Sequence, residues 1–124
     1  MSRRMSCSLT IDAVRDRSKT VTRRHVDTWK DLKRGDRLTL IEKGMGLPKG
    51  ARQVVLCEVE VVDVRVEWLD LIMRESAGTR REGLGHMTAY KFARFWADSH
   101  GYKKRSLLTV MCRRIEWRYL EAER

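Results

Sequence analysis

The sequence predicts an α+β fold in which a small β-barrel is flanked by two to three helices, and three observations lead there. The segment Val54 to Trp68, VVLCEVEVVDVRVEW, alternates apolar and polar residues with one slip of phase at Val61-Val62. Two more segments read as strands beside turns or loops, and TAYKFARFWADSHG reads as an amphipathic helix. A one-residue slip inside a strand marks a β-bulge or sharp bend, and such bends let a small sheet close on itself.

In chain order, TIDAVRD from Thr10 carries an apolar stripe of about two turns and is expected to form a short helix. SKTVTRR, Ser18 to Arg24, has Val21 as its single apolar side chain. A short strand anchored by Val21 puts Thr20, Thr22 and Arg24 on the opposite face, because strand side chains alternate. Lys19 is formally on the Val21 side, yet at a strand start it can swing toward either face. The turn KRGD, Lys33 to Asp36, leads into the strand RLTLIEK. KGMGLPKGAR is then a flexible connection with three glycines, so this strand and the long one form a hairpin with a long loop.

Within the long strand, Val55, Cys57, Val59 and Val61 share one face, with Glu58 and Glu60 opposite. After the slip the apolar set is Val62, Val64, Val66 and Trp68, with Asp63, Arg65 and Glu67 opposite. LDLIMRESA from Leu69 is a second short helix. In the next helix Ala89, Phe92, Ala93 and Trp96 recur at i, i+3, i+4 and i+7, with Thr88 to cap its start and Gly101 to end it. LLTVMCRRIEWRYL closes the chain as a final strand pair. No repeat, low-complexity segment or linker interrupts the order. Residues 1–124 are expected to be one domain with a core from about residue 7 to residue 120.

Apolar residues make up 42% of the 124 residues and charged residues 35%, enough Val, Leu, Ile and Trp to fold. No apolar run approaches the roughly 20 residues that cross a bilayer, and MSRRMSCSL lacks the apolar segment of a signal peptide. No membrane partner and a cytoplasmic location are therefore expected. Cys7, Cys57 and Cys112 are widely spaced and unpaired by motif, so all three are expected to be reduced, Cys57 and Cys112 as small core residues. His25, His86 and His100 have no ligand spacing and read as surface or cap residues. No metal and no cofactor is expected.

The net charge is +10 and unevenly spread: residues 1–37 carry 11 basic and 5 acidic side chains, residues 38–79 carry 5 and 7, and residues 80–124 carry 11 and 5. A fold that joins the two ends makes a basic patch, which attracts polyanions by releasing their counterions. A second cluster of interest is TRREGLGHM, Thr79 to Met87, where Glu82 follows Arg80 and Arg81 and two glycines allow close backbone approach. It is either a ligand site or a charged loop before the helix. Trp29 is either a plug for the barrel end or a platform on which a base stacks.

The order of these motifs resembles the ASCH domain family, a branch of the PUA-like β-barrels. The resemblance runs from about Cys7 to Leu120. It is carried by K-T-x-T-x-R at Lys19, Thr20, Thr22 and Arg24, a tryptophan, L-K-x-G-D at Leu32 to Asp36, the bent valine-rich strand, E-G at Glu82-Gly83 and the closing R-I-E-W-R-Y-L. It implies a cleft beside the first strand that binds RNA or nucleotides. In the amidohydrolase branch, which removes the acetyl group from N4-acetylcytidine, the catalytic lysine, threonine and glutamate correspond to Lys19, Thr22 and Glu82. Arg24 corresponds to the arginine of the motif. Thr20, Arg23, Arg24, Trp29 and Arg81 are the substrate-binding candidates, Arg23 being also the one that reads most plainly as a surface charge.

Those residue types suit the chemistry. Lys19, its pKa lowered by Arg17, Arg23 and Arg24, can take the Thr22 proton or stay charged and stabilise an oxyanion. Glu82 can shuttle a proton to the leaving amine or simply hold Lys19 by a salt bridge. The chain departs from the small amidohydrolases in the KGMGLPKGAR loop, in Lys103, Lys104 and Arg105, and in the continuation RRH; these suit a polymer better than a free nucleoside. The expected partner is thus RNA or a nucleoside or nucleotide, with DNA as a further polyanion. Two other functions compete: a nucleic-acid-binding regulator without chemistry, and a nuclease acting on single-stranded RNA. Neither the oligomeric state nor a bacterial or phage origin follows from the sequence.

Overall fold

The computed structural model describes residues 3–44 and 46–120. Its elements are β1 (Arg3–Ser6), α1 (Ile11–Arg15), β2 (Val21–Arg24), β3 (Arg37–Ile41), β4 (Val55–Trp68), α2 (Gly78–Arg81), α3 (Ala89–Ser99) and β5 (Met111–Tyr119), with 3-10 turns at Leu69–Arg74 and Leu107–Thr109. One five-stranded sheet in the order β1-β3-β4-β5-β2 curls into a half-barrel, antiparallel except for the parallel β1–β3 pair. β1 and β2 are its two edges, and the closed barrel expected from the sequence stays open between them. No described helix is long and apolar enough to cross a membrane.

The phase slip in β4 is a bulge. Val61 pairs with Trp117 and Asp63 with Glu116, which leaves Val62 as the extra residue. That single insertion keeps Val64 on the face of Ile115, where Val59, Val61, Ile115 and Trp117 meet Leu38, Leu40, Met5 and Val14 in one core cluster. Trp29 packs partly buried against the same cluster, beneath the Arg3 guanidinium at 4.4 Å.

The opposite face is also covered, which the alternation in β4 did not suggest. The 3-10 turn at Leu69–Arg74, α3 and the turn at Leu107–Thr109 build a second cluster on that side from Leu69, Ile72, Phe92, Ala93, Trp96, Ala97, Leu107, Val110 and Cys112. Glu67, paired with Cys112 in register, is therefore buried rather than solvated. Val66 and Trp68, from the second apolar set of β4, are exposed. The final segment holds one strand rather than two, since Leu107–Thr109 is a 3-10 turn. The sequence reading also missed β1. Cys7 and Cys112 are the buried cysteines, whereas Cys57 is half-buried.

The helix ends follow their caps. Thr88 Oγ1 accepts from Lys91 N at 3.1 Å and Gly101 leaves α3 at φ +87°. Trp96 Nε1 donates to the Arg23 carbonyl at 2.8 Å, tying α3 to the edge strand β2. Leu38→Ala should cost about 2–5 kcal/mol of unfolding free energy, as for other wholly buried leucines. Leu108→Ala, at an exposed position, should stay within about 0.5 kcal/mol. Urea denaturation of the two variants measures both.

Candidate functional site

The gap between the two sheet edges is where the sequence-derived residues gather. Arg24 spans it, its Nη2 donating to the Ser6 carbonyl of β1 at 2.7 Å and its Nε to Thr22 Oγ1 at 3.2 Å. Beside it opens a pocket of about 270 Å³. Lys19, Thr22, Arg24 and Glu82 supply its polar side, and the chain from Ser6 to Thr10 forms its rim. Phe92, Phe95, Trp96 and Ser99, at helical spacing on α3, make the facing wall with His100 and Leu84.

Lys19 is buried and held on every side. Its N–H donates to the Ala13 carbonyl at 3.0 Å, and its carbonyl accepts from Trp117 Nε1 at 3.1 Å and from the Tyr119 hydroxyl. Its Nζ donates to the Glu82 carbonyl at 2.5 Å and lies 3.9 Å from Glu82 Oε1. The side chain has swung away from the Val21 side, over the ring of Trp117, which register puts on the Thr22 face. Burial is the main influence on this amine and holds its pKa below the ordinary lysine value of 10.5, against the opposing pull of Glu82. Arg23 and Arg24 lower it further; Arg17, invoked from the sequence, is not among the causes.

Glu82 owes its position to Arg23. Its Oε2 accepts from Arg23 Nη1 at 2.8 Å and its Oε1 from the Arg23 backbone N–H at 3.3 Å. The carboxylate is therefore anchored to Arg23, and what holds Lys19 most closely is the Glu82 backbone carbonyl. Gly83 then turns the chain at φ +88°, so close to α1 that a Cβ there would sit 2.9 Å from Ala13 Cβ and 3.0 Å from Thr10. A glycine is required on both counts.

Arg23 overturns its reading as a surface charge. Its side chain has no exposure and meets three carboxylates, Glu82, Glu75 at 3.0 Å and Glu67 at 3.4 Å. Arg114 shares Glu75 at 2.8 Å and pairs with Glu116 at 2.9 Å, while Arg65 holds Glu67 at 2.7 Å. The two basic ends of the chain do meet, through β2 and β5, but the acidic middle supplies Glu67 and Glu75 as their counter-ions. Arg23 still borders the pocket, chiefly as a structural pin.

Three further candidates lie elsewhere. Arg81 reaches Glu116 at 2.9 Å and Thr20 Oγ1 at 3.3 Å, so both belong to the ionic layer outside the pocket. Trp29 sits against the core, in accord with the plug reading. The sequence reading missed Cys7, whose thiol is raised by burial within reach of the Lys19 and Arg24 charges. It missed His100 as well, which stacks on Trp96 at 3.9 Å and contacts the Trp96 carbonyl through Nδ1 at 2.7 Å. That Nδ1 must donate, so the neutral ring keeps its lone pair on Nε2. The i, i+4 spacing of Trp96 and His100 was the only sequence signal for this pair.

No family model matches the sequence, and no curated protein does either. Among solved structures the fold is similar to protein EF3133 from Enterococcus faecalis V583, described as family-model DUF984. The likeness has a TM-score of 0.59 at 15% identity, over 100% of this chain and 84% of that one, and it bears on the fold alone.

Arg23→Met should cost about 3–5 kcal/mol, because it strands buried carboxylates without their cation. Arg118→Met, whose own side chain is largely exposed although its partner Glu60 is half-buried, should cost under about 1 kcal/mol; thermal melting compares them. Acid should act through Glu75. Burial opposes ionisation there, but Arg114 and Arg23 outweigh it and hold the carboxyl below its ordinary 4.5. Its stabilising contribution is present above that pH and is lost as pH falls through the lower folded value. Glu75→Gln should flatten the acid limb of a urea-stability curve measured from pH 7 down to about pH 2; an unchanged limb would refute the assignment.

Proposed function

We propose that the chain is an ASCH-type, PUA-like domain whose pocket takes a modified nucleoside and hydrolyses its N4-acetyl amide, with N4-acetylcytidine as the substrate type. The observation that carries the reading is the buried Lys19, at the floor of a pocket that Thr22 and Glu82 also line. An amine below its ordinary pKa is a better proton acceptor at neutral pH than a free lysine.

In this reading Thr22 Oγ1 attacks the acetyl carbonyl as Lys19 Nζ takes its proton. Arg24, whose Nε already touches Thr22 Oγ1, faces the oxyanion that forms. The proton on Lys19 then passes to the departing cytidine amine, and water releases acetate from Thr22. Glu82 acts as a positioning residue, since Arg23 occupies its carboxylate and Lys19 its carbonyl. That choice departs from a proton-shuttling glutamate. The mixed lining supports the reading too: Phe92, Phe95 and Trp96 offer apolar surface for a planar base opposite the polar groups.

Incubation of the purified protein with N4-acetylcytidine should release cytidine and acetate in equal amounts. Lys19→Ala and Thr22→Ala should each lower kcat/KM by about 100-fold or more. Release at an unchanged rate in both variants, or no release by the native chain, would sink the hydrolase reading. In the latter case a nucleic-acid-binding protein without chemistry is the reading that stands.

A further inference from the structure

Most polar side chains on the pocket lining are engaged with the protein itself. Glu82 is the one carboxylate among them, and both of its oxygens accept from Arg23. Thr22 Oγ1 accepts from Arg24 Nε. The hydroxyls of Ser6 and Ser99 face backbone carbonyls, those of Glu42 at 3.5 Å and Phe95 at 2.8 Å. Arg24 gives Nη2 to the Ser6 carbonyl, and its Nη1 has no partner among the described residues. One free donor therefore remains on the β2 side.

His100 offers the matching acceptor. Its Nδ1 stands 2.7 Å from the Trp96 carbonyl, which can only accept, so Nδ1 carries the proton and Nε2 keeps a bare lone pair. No described residue bonds that Nε2. The ring is fixed by its stack on Trp96, at 3.9 Å with 16° between the planes. Burial holds its pKa below the ordinary 6.5, against the opposing Trp96 carbonyl, so the ring is neutral at neutral pH. His100 closes α3, in the wall that faces Lys19, Thr22 and Arg24, and lies within reach of the Arg24 charge. A cavity with a donor on one wall and an acceptor on the other matches a trans secondary amide, whose C=O and N–H point in opposite directions.

We propose that His100 is a specificity residue: its Nε2 accepts the N–H of a secondary amide whose carbonyl lies against Arg24. The inference rests on the reading that the pocket hydrolyses an acetyl amide, and it narrows the substrates to amides that keep an N–H. An N-alkylated amide or an ester would leave the Nε2 lone pair without a partner inside the pocket, and a site built around such a hydrogen bond rejects the analogue that lacks it.

The test compares N4-acetylcytidine with N4-acetyl-N4-methylcytidine, which has no amide N–H, in the native, H100L and H100Q proteins. The native chain should favour N4-acetylcytidine in kcat/KM by about 100-fold or more. H100L removes the acceptor and should cut that preference about tenfold or more. H100Q, whose amide oxygen can stand where Nε2 stood, should keep most of it. The intrinsic reactivities of the two amides cancel when proteins are compared. An equal preference in the native and H100L proteins overturns the proposal. A second measurement needs neither turnover nor a change at His100: 15N NMR of histidine-labelled Thr22→Ala, which lacks the proposed nucleophile. Free, it should show His100 protonated on Nδ1 alone; N4-acetylcytidine should shift the Nε2 signal and the N-methyl analogue should not. The other tautomer, or an Nε2 signal that N4-acetylcytidine leaves in place, overturns the proposal. An Nε2 response in a protein whose native form releases no cytidine removes the hydrolase and leaves the amide contact. Cytidine release with undiminished preference in H100L removes the contact and leaves the hydrolase.

Discussion

Arg23 is an arginine in an edge strand with no solvent exposure of its side chain, and three carboxylates from three different parts of the chain converge on it. Glu67 comes from β4, Glu75 from the end of the 3-10 turn that follows, and Glu82 from the end of α2. Its carbonyl also accepts from Trp96 on α3. Removing a guanidinium from water costs several kcal/mol, and a buried pair seldom stabilises a fold more than apolar packing would. What the arrangement supplies is position. It sets the height of α2 against β2, and with it the Glu82 carbonyl and carboxylate that surround Lys19.

The pocket is thus built at an unfinished seam of the sheet. A closed barrel would pair β1 with β2; here the two edges are joined through the Arg24 side chain, and the opening beside it is the pocket. Lys19 lies beneath that seam, fixed through its backbone by Ala13, Trp117 and Tyr119. Its charge is partly met by Glu82 at 3.9 Å, but Glu82 is already committed to Arg23. A cation kept in a dry place without a dedicated counter-ion is an unfavourable arrangement for stability. It is a useful one for proton transfer, because the same burial makes the neutral amine accessible.

Much of this was legible in the chain because the signals were local. The bulge at Val62 appeared as a change of apolar phase, Thr88 and Gly101 marked the ends of α3, and Val21 announced its strand by being the one apolar residue among polar ones. Lys19, Thr22 and Glu82 were brought together by motif order rather than by periodicity. Arg23 was misread for a physical reason: nothing in RRH distinguishes an arginine that faces water from one that faces three glutamates 44 to 59 residues away. Glu67 was misplaced for the same reason, because alternation reports which residues share a face but not whether a second layer covers it. β1 escaped notice because its four residues carry two arginines and make a parallel pairing that no hairpin turn announces. Cys7 and His100 owe their interest to the cavity alone.

The proposed base chemistry requires Lys19 to be a buried amine whose ammonium form is disfavoured, and NMR measures that directly. The protein carries 13C-labelled lysine, the Lys19 Cε signal is identified by its absence in Lys19→Arg, and its shift is followed from about pH 6 to 12. The expected titration midpoint lies below the ordinary 10.5. A midpoint at or above that value would mean that Lys19 is a conventional ion-pair partner of Glu82, and the pocket would lose its base.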